Sequence, residues 1–378
     1  MTTPSTPAVL NAGPQSAPGA SRSGRRLAKG RRLLATAAAA AVLGLAFTAP
    51  ADADTGDTGG GAGRVDHRTY QASTGTNDYL VYVPKGWTGS ERLPLYVNLH
   101  GCSETAAQQM GASLLNQVAD RERFIVAYPD NGGQCWRAVS NIEASITRGG
   151  GGDADIVAGI TRQVIASYNV NTERVYVAGI SSGAFQASAA AAAYPDLYAA
   201  VGMASGGGYG MDVFCLLQPD FTVPVNAARA VAQMGSRAHV MPTFTVGGDL
   251  DALGEMPAPS GCTRLAYEQW LITNNLLKPR TDGDTFRPDP ASTTTGQVPD
   301  GYTWTREMAR GRDGCQISER WIVHGMGHHW SGGSTDPIYS DPQGPAGGFD
   351  DPKGPSASEA SWRFFRNFTL TGGNTACH

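Results

Sequence analysis

The sequence predicts an α/β fold built on a mostly parallel, doubly wound sheet with helices on both faces. Three observations predict it. Short β-branched and aromatic runs alternate with longer stretches of helix formers. A Gly-Ile-Ser-Ser-Gly pentapeptide at residues 179–183 joins one such run to one such stretch. Two further turns rich in Gly, Asp and His each follow a later apolar run. Such alternation makes strand–helix–strand units, and ligand sites in these sheets lie at the C-terminal ends of the strands.

Taken in order, residues 78–84, 93–99 and 124–128 read as strands, being apolar runs bounded by turn formers. Residues 153–168 read as a helix, with Ile156, Ile160 and Val164 at four-residue spacing on one face. Residues 174–178 (Arg-Val-Tyr-Val-Ala) form the strand before the pentapeptide, and the alanine-rich residues 184–193 the helix after it. Strands follow at 198–203, 242–246 and 319–323, with helices at 263–274 and 356–367.

The N-terminal region stands outside this pattern. Arg22, Arg25, Arg26, Lys29, Arg31 and Arg32 precede an apolar stretch of 15 residues from Leu33 to Phe47, followed by Ala49-Pro50-Ala51. A basic region, a short apolar core and an Ala-x-Ala site are the parts of a secretory signal, expected over residues 1–51. Fifteen residues fall short of the roughly 20 that cross a bilayer. The two arginine pairs leave general and twin-arginine export both open. Residues 52–65, rich in Gly, Thr and Asp, are expected to be a disordered lead-in, and residues 66–378 one catalytic domain.

Loss of the first 51 residues removes six basic groups and no acidic one, leaving 23 Lys and Arg against 33 Asp and Glu, a net charge of −10. That sign disfavours nucleic acid and anionic membranes as partners. Six cysteines in an exported chain (Cys102, Cys135, Cys215, Cys262, Cys315 and Cys377) imply up to three disulfides, whose pairing spacing does not decide. No CxxC or Cys/His ligand spacing is present, so no metal is expected, and nothing in the motifs calls for a cofactor.

The chemistry lies in three turns. Ser181, in the GxSxG of residues 179–183, stands where a sharp strand-to-helix turn lifts a nucleophilic hydroxyl clear of an α/β-hydrolase sheet. The acid should come next in the chain, and two aspartates compete after residues 242–246. Asp251, three residues beyond Gly248, is favoured; Asp249 is the alternative, and one of the two then has a lesser task such as capping. Of seven histidines, only His324, His328 and His329 follow the last strand, and His328, in Gly-Met-Gly-His, is chosen as base. The order nucleophile, acid, base is that of a serine-hydrolase triad. Oxyanion donors are then the N–H of Ser182, after the nucleophile, and that of Cys102, in the His100-Gly101-Cys102-Ser103 turn after an early strand. His100 reads as structural, bonding that turn.

Four segments carry a family resemblance: residues 99–102 (Leu-His-Gly-Cys), residues 124–136 ending in Cys135-Trp136, residues 174–184 around Ser181, and residues 325–333 (Gly-Met-Gly-His-His-Trp-Ser-Gly-Gly). Over about residues 77–365 the chain resembles the secreted poly(3-hydroxybutyrate) depolymerase family of α/β-hydrolase esterases, which also includes feruloyl and acetylxylan esterases. The resemblance implies a Ser181–Asp251–His328 triad and a Cys102–Cys135 disulfide at the oxyanion loop. It also implies a secreted serine esterase acting on polyhydroxyalkanoate polyester or its oligomers, with cell-wall feruloyl or acetylxylan esters as the alternative. Trp136 and Trp330 are expected to line the acyl or alcohol pocket, unless each packs the core beside its loop. The chain departs from the family where Arg137-Ala138-Val139 follow Cys135-Trp136, in place of further aromatics, and at Ser182 and His329. A reading of another class is a catalytically inactive hydrolase serving as a polymer-binding module.

Overall fold

Six parallel strands make the centre of a ten-stranded sheet: β4 (Ile125–Pro129), β3 (Leu93–Leu99), β5 (Val170–Ile180), β6 (Ala200–Ala204), β7 (Thr243–Gly248) and β10 (Gln316–His324), in that spatial order. The structure is a computed structural model describing residues 63–213, 215, 222–255, 261–277, 290–311, 314–340 and 348–372. The signal segment expected over residues 1–51 lies outside these residues, as does the lead-in through residue 62.

Antiparallel strands extend both edges. β1 (Arg64–Ala72) pairs with β2 (Gly75–Val83), which pairs with β4. On the other side β9 (Thr303–Arg310) pairs with β10, and β8 (Ser292–Gln297) with β9. Arg64 and Val65, placed by the sequence in the lead-in, are already paired in β1 with Val83 and Tyr82. These two residues, expected to be disordered, are therefore part of the sheet, because pairing with a partly buried β2 orders residues whose own composition is polar.

Helices cover both faces. On one, α4 (Asp153–Ser167), α5 (Ser182–Ala193), α6 (Thr222–Met234) and α7 (Cys262–Leu277) pack over Val81, Val97, Val177 and Val201. On the other, α1 (Ala106–Ser113), α2 (Leu115–Glu122) and α9 (Ala357–Phe365) cover Tyr96, Val126, Tyr176 and Phe244. Successive strand residues point to opposite faces, so a strand buried on both reads as an unbroken apolar run; β3 is buried at all seven positions. Short α3 (Glu143–Ile146) and α8 (Pro337–Ser340) and the two-stranded pair β11 (Trp330–Ser331) with β12 (Asp350–Asp351) complete the described α-helices and strands, beside 3-10 turns at Arg137–Ser140 and Gly235–Arg237.

α5 is buried at all twelve positions. A helix hydrophobic all round sits in the interior, and alanine lets it lie close to the sheet. Among the described residues it is the only helix buried along its whole length.

Candidate active site

The chain leaves β5 through Ser181, whose φ of 55° and ψ of −123° are rarely adopted by a residue with a β carbon. The turn is held by bonds from both sides: the Ser181 N–H donates to Ala204 O at 3.0 Å, and the Ala184 N–H donates to Ser181 O at 3.0 Å. Glycine is required beside it. A β carbon on Gly179 would stand 2.6 Å from the Gly183 carbonyl, and one on Gly183 would run into the carbonyl oxygens of Leu99 and His100. The two glycines are thus there to let β3, β5 and α5 approach.

Asp251 and His328 meet at the ends of β7 and β10. His328 Nδ1 lies 3.0 Å from Asp251 Oδ1 and 3.1 Å from Oδ2. The Asp251 side chain is 1 % exposed and that of His328 32 %, so the acid is sealed beneath the ring while the ring faces outward. The carboxylate accepts Nδ1–H, which leaves Nε2 as the acceptor. Asp251 Oδ1 also accepts the Leu253 N–H at 2.8 Å, fixing the acid's own orientation.

Asp249 has a different partner. Its Oδ2 lies 2.9 Å from His324 Nδ1, and its Oδ1 accepts the Gly325 N–H at 2.7 Å. With Asp249 N–H donating to Val323 O and Leu250 N–H to Met326 O, both at 3.1 Å, the acid loop and the histidine loop are stitched together. His324 completes this by bonding Thr305 Oγ1 through Nε2 at 2.9 Å.

Ser205, at the end of β6, links the histidine loop to the elbow. Its Oγ donates to His329 O at 3.3 Å, and a β carbon on the adjacent Gly206 would stand 2.6 Å from Ser181 O. His329 itself is partly buried, and burial lowers its pKa below the usual histidine value.

Cys102 and Cys135 form a disulfide, and Ser103, at φ 64°, donates its N–H to Gly133 O at 3.1 Å. The turn after β3 is therefore tied to the loop after β4. The Cys102 N–H makes no turn or loop bond among the described residues, and the Ser182 N–H, first in α5, lacks an intrahelical acceptor by position. His100 bonds Gly101 O through Nδ1 at 2.6 Å and accepts the Asn131 N–H at Nε2 at 3.4 Å. Burial lowers its pKa, keeping the imidazole neutral; it braces the turn, as its position in the sequence suggested.

The two tryptophans expected at a substrate pocket lie inside the protein. Trp136 is 1 % exposed, with its indole N–H on His100 O at 3.0 Å, and Trp330 is 2 % exposed, with its indole N–H on Ser358 Oγ at 3.3 Å. Both support loops from below, because a buried indole with a satisfied N–H has no face left for a ligand. The sequence reading passed over Glu104, a carboxyl 1 % exposed that accepts the Gly101 N–H at 2.7 Å. An acid three residues after the Gly101 of a tight turn was the available signal. A second disulfide joins Cys215 and Cys262, and Cys315 is also disulfide-bonded. The described residues hold no group of three or more His, Cys, Asp or Glu suited to a metal ion.

Residues 77–263 match the family model described as Esterase PHB depolymerase. Acetylxylan esterase A of Talaromyces purpureogenus is 37% identical over 155 residues, covering 39% of this chain and 40% of the relative. Feruloyl esterase B of Neurospora crassa is 39% identical over 114 residues, covering 30% and 38%. The chain thus spans about 40% of the length of the curated relatives it matches. The solved acetyl xylan esterase from Aspergillus awamori superposes with a TM-score of 0.54 at 21% identity, over 70% of this chain and 94% of that one, and so shares the α/β-hydrolase fold.

Proposed function

From the premise that residues 77–263 carry a domain of the esterase PHB depolymerase family, we propose that the chain is a secreted serine carboxylic-ester hydrolase whose catalytic domain runs over residues 66–378. The observation that carries this reading is the buried Asp251 on the Nδ1 side of His328, at the same C-terminal sheet edge as the Ser181 turn, which stands two strands away from the Asp251 strand, on the far side of β6.

In this reading His328 Nε2 takes the Ser181 proton as the oxygen attacks the ester carbonyl. Asp251 holds the ring and stabilises its positive form. The N–H groups of Ser182 and Cys102 receive the oxyanion, helped by the N-terminal dipole of α5. His328 then protonates the leaving alcohol, and water activated by the same ring releases the acid from the acyl-enzyme. Disulfides and an N-terminal segment of signal type support an extracellular site of action; no helix of the described residues is long and apolar enough to cross a membrane.

The alcohol side of the substrate is best read as a polyhydroxylated one, an acetylated or feruloylated polysaccharide. A groove of about 580 Å³ reaches Cys135, the disulfide partner of Cys102; its lining includes Thr74, Asn77, Asp78, Asn131, Gln134 and Arg137 and none of Ser181, Asp251 and His328. Hydroxyl, amide and charged groups suit sugar hydroxyls, whereas a polyester strand calls for apolar walls. The curated relatives named as acetylxylan and feruloyl esterases agree with this. Polyhydroxybutyrate remains the second reading, carried by the family description.

Purified wild type and Ser181→Ala, assayed on p-nitrophenyl acetate and labelled with a fluorophosphonate, test the activity. Turnover and labelling are expected in wild type and in neither case in the variant; a wild type inert to both is the inactive binding module. Acetylated xylan, methyl ferulate and amorphous polyhydroxybutyrate assayed side by side rank the substrates.

A further inference from the structure

Glu104 is a buried carboxyl beside the candidate nucleophile to which the acyl-transfer steps give no task. It closes the turn at residues 101–104 twice: its Oε2 accepts the Gly101 N–H at 2.7 Å, and its own N–H donates to Gly101 O at 3.4 Å. Between these two bonds stand Cys102 and the left-handed Ser103. A β carbon on Gly101 would meet Glu104 Oε2 at 3.1 Å and Ser181 Cβ at 3.4 Å, so carboxyl and serine flank the same glycine.

We propose that Glu104 is a positioning residue for the oxyanion turn: through Gly101 it aims the Cys102 N–H at the reacting carbonyl, and a negative charge on it opposes the oxyanion. The inference rests on the assignment of Ser181 as nucleophile. A side-chain bond added to the backbone bond across the turn fixes the peptide between them, and an oxyanion donor is effective only when it is fixed before the charge develops.

The carboxyl's surroundings set when it is charged. Burial pushes it up to about 7, the Gly101 N–H and His328 pull it down, and Asp350 of β12 pushes it up. His100, at the end of β3, is kept neutral by burial and adds no charge. Below neutrality the uncharged carboxyl still accepts the Gly101 N–H. Above it, the carboxylate keeps that bond but sets a like charge near the forming oxyanion, at low effective dielectric.

The test measures kcat and KM of the full chain on p-nitrophenyl acetate from pH 5 to 9. Glu104→Gln keeps an oxygen for Gly101 and removes the charge. It should hold kcat within about 3-fold of wild type at pH 6 and abolish a decline of about 10-fold that wild type shows above pH 7. Glu104→Ala, which loses the side-chain bond to Gly101 and leaves only the 3.4 Å backbone bond across the turn, should lose about 10- to 100-fold in kcat at every pH with KM within about 2-fold. A Glu104→Gln profile superimposable on wild type overturns the inference, as does an unchanged kcat in a folded Glu104→Ala. If Glu104→Ala does not fold, the Glu104→Gln profile decides alone. A wild type without ester hydrolysis overturns the esterase reading and this one together, whereas the variant results bear on Glu104 only.

Discussion

Exchanging Asp251 for Asn should cost about 10⁴-fold in kcat, or roughly 5–6 kcal/mol of transition-state stabilisation at 1.36 kcal/mol per decade. Asp251 Oδ1 already takes the Leu253 N–H at 2.8 Å, so the amide oxygen of the replacement would be drawn to that position. Its NH₂ would then stand where Oδ2 now lies, 3.1 Å from His328 Nδ1. An N–H would then face Nδ1 beside a single neutral oxygen, 3.0 Å away and shared with Leu253, so the ring is drawn toward the form protonated at Nε2, which cannot accept from Ser181, and its positive form loses the charge that stabilised it. Asp249→Asn is the control. Its two bonds, to His324 and Gly325, join the loops from a side chain 34% exposed. After allowance for solvent screening their loss is about 1–2 kcal/mol of stability. That corresponds to a few degrees in melting temperature for a domain of this size and about 10-fold or less in kcat. Steady-state kinetics on p-nitrophenyl acetate with thermal melts of both variants separate the two tasks. A larger kcat loss in Asp249→Asn than in Asp251→Asn would refute the assignment of the acid.

Replacing both Cys102 and Cys135 with Ser opens a link of 33 residues' separation; the chain-entropy model puts the loss at about 3–4 kcal/mol, read as a lowered urea midpoint, and an unmoved midpoint contradicts it. Asp350 is 1 % exposed and burial pushes its carboxyl up to about 7. The folded state therefore holds this proton more tightly than the unfolded chain, whose aspartates titrate near about 3.9. Its stabilisation is full below about pH 4 and is lost as pH rises to about 7, so Asp350→Asn should flatten the fall in melting temperature between about pH 4 and 7. An unchanged slope would mean the group is ionised in the fold. Arg137→Ala and Asp78→Ala, in the polar groove, should raise KM on acetylated xylan several-fold while leaving p-nitrophenyl acetate kinetics within about 2-fold; equal effects on both substrates would count against the groove.

Strands β3 to β7 and β10 and the Ser181 elbow are legible in the sequence because each depends on neighbours in the chain. A strand buried on both faces must be apolar throughout, and a strand-to-helix turn this sharp needs small residues on either side of the serine. The outer antiparallel strands β1, β8 and β9 escape the same reading. β1 and β8 are largely exposed and β9 is only partly buried, so threonine, arginine and glutamate replace the apolar signal, and hydrogen bonding to a neighbouring strand defines them instead. Proximity across long separations was decided by the tertiary structure alone. Asp249 and Asp251 stand two residues apart, yet one meets His324 and the other His328, across 75 and 77 residues. Composition around the two acids is the same; their burial differs, because the β7 and β10 loops zip together and turn one side chain inward and the other to the rim. Trp136 and Trp330 were drawn inward likewise, by acceptors on distant segments, and Glu104 acquires its proposed task only where its turn folds back against Ser181. Residue type sets the chemistry available at a position, while distance and burial, which arise only when remote loops meet at one sheet edge, decide which of those chemistries a residue can perform.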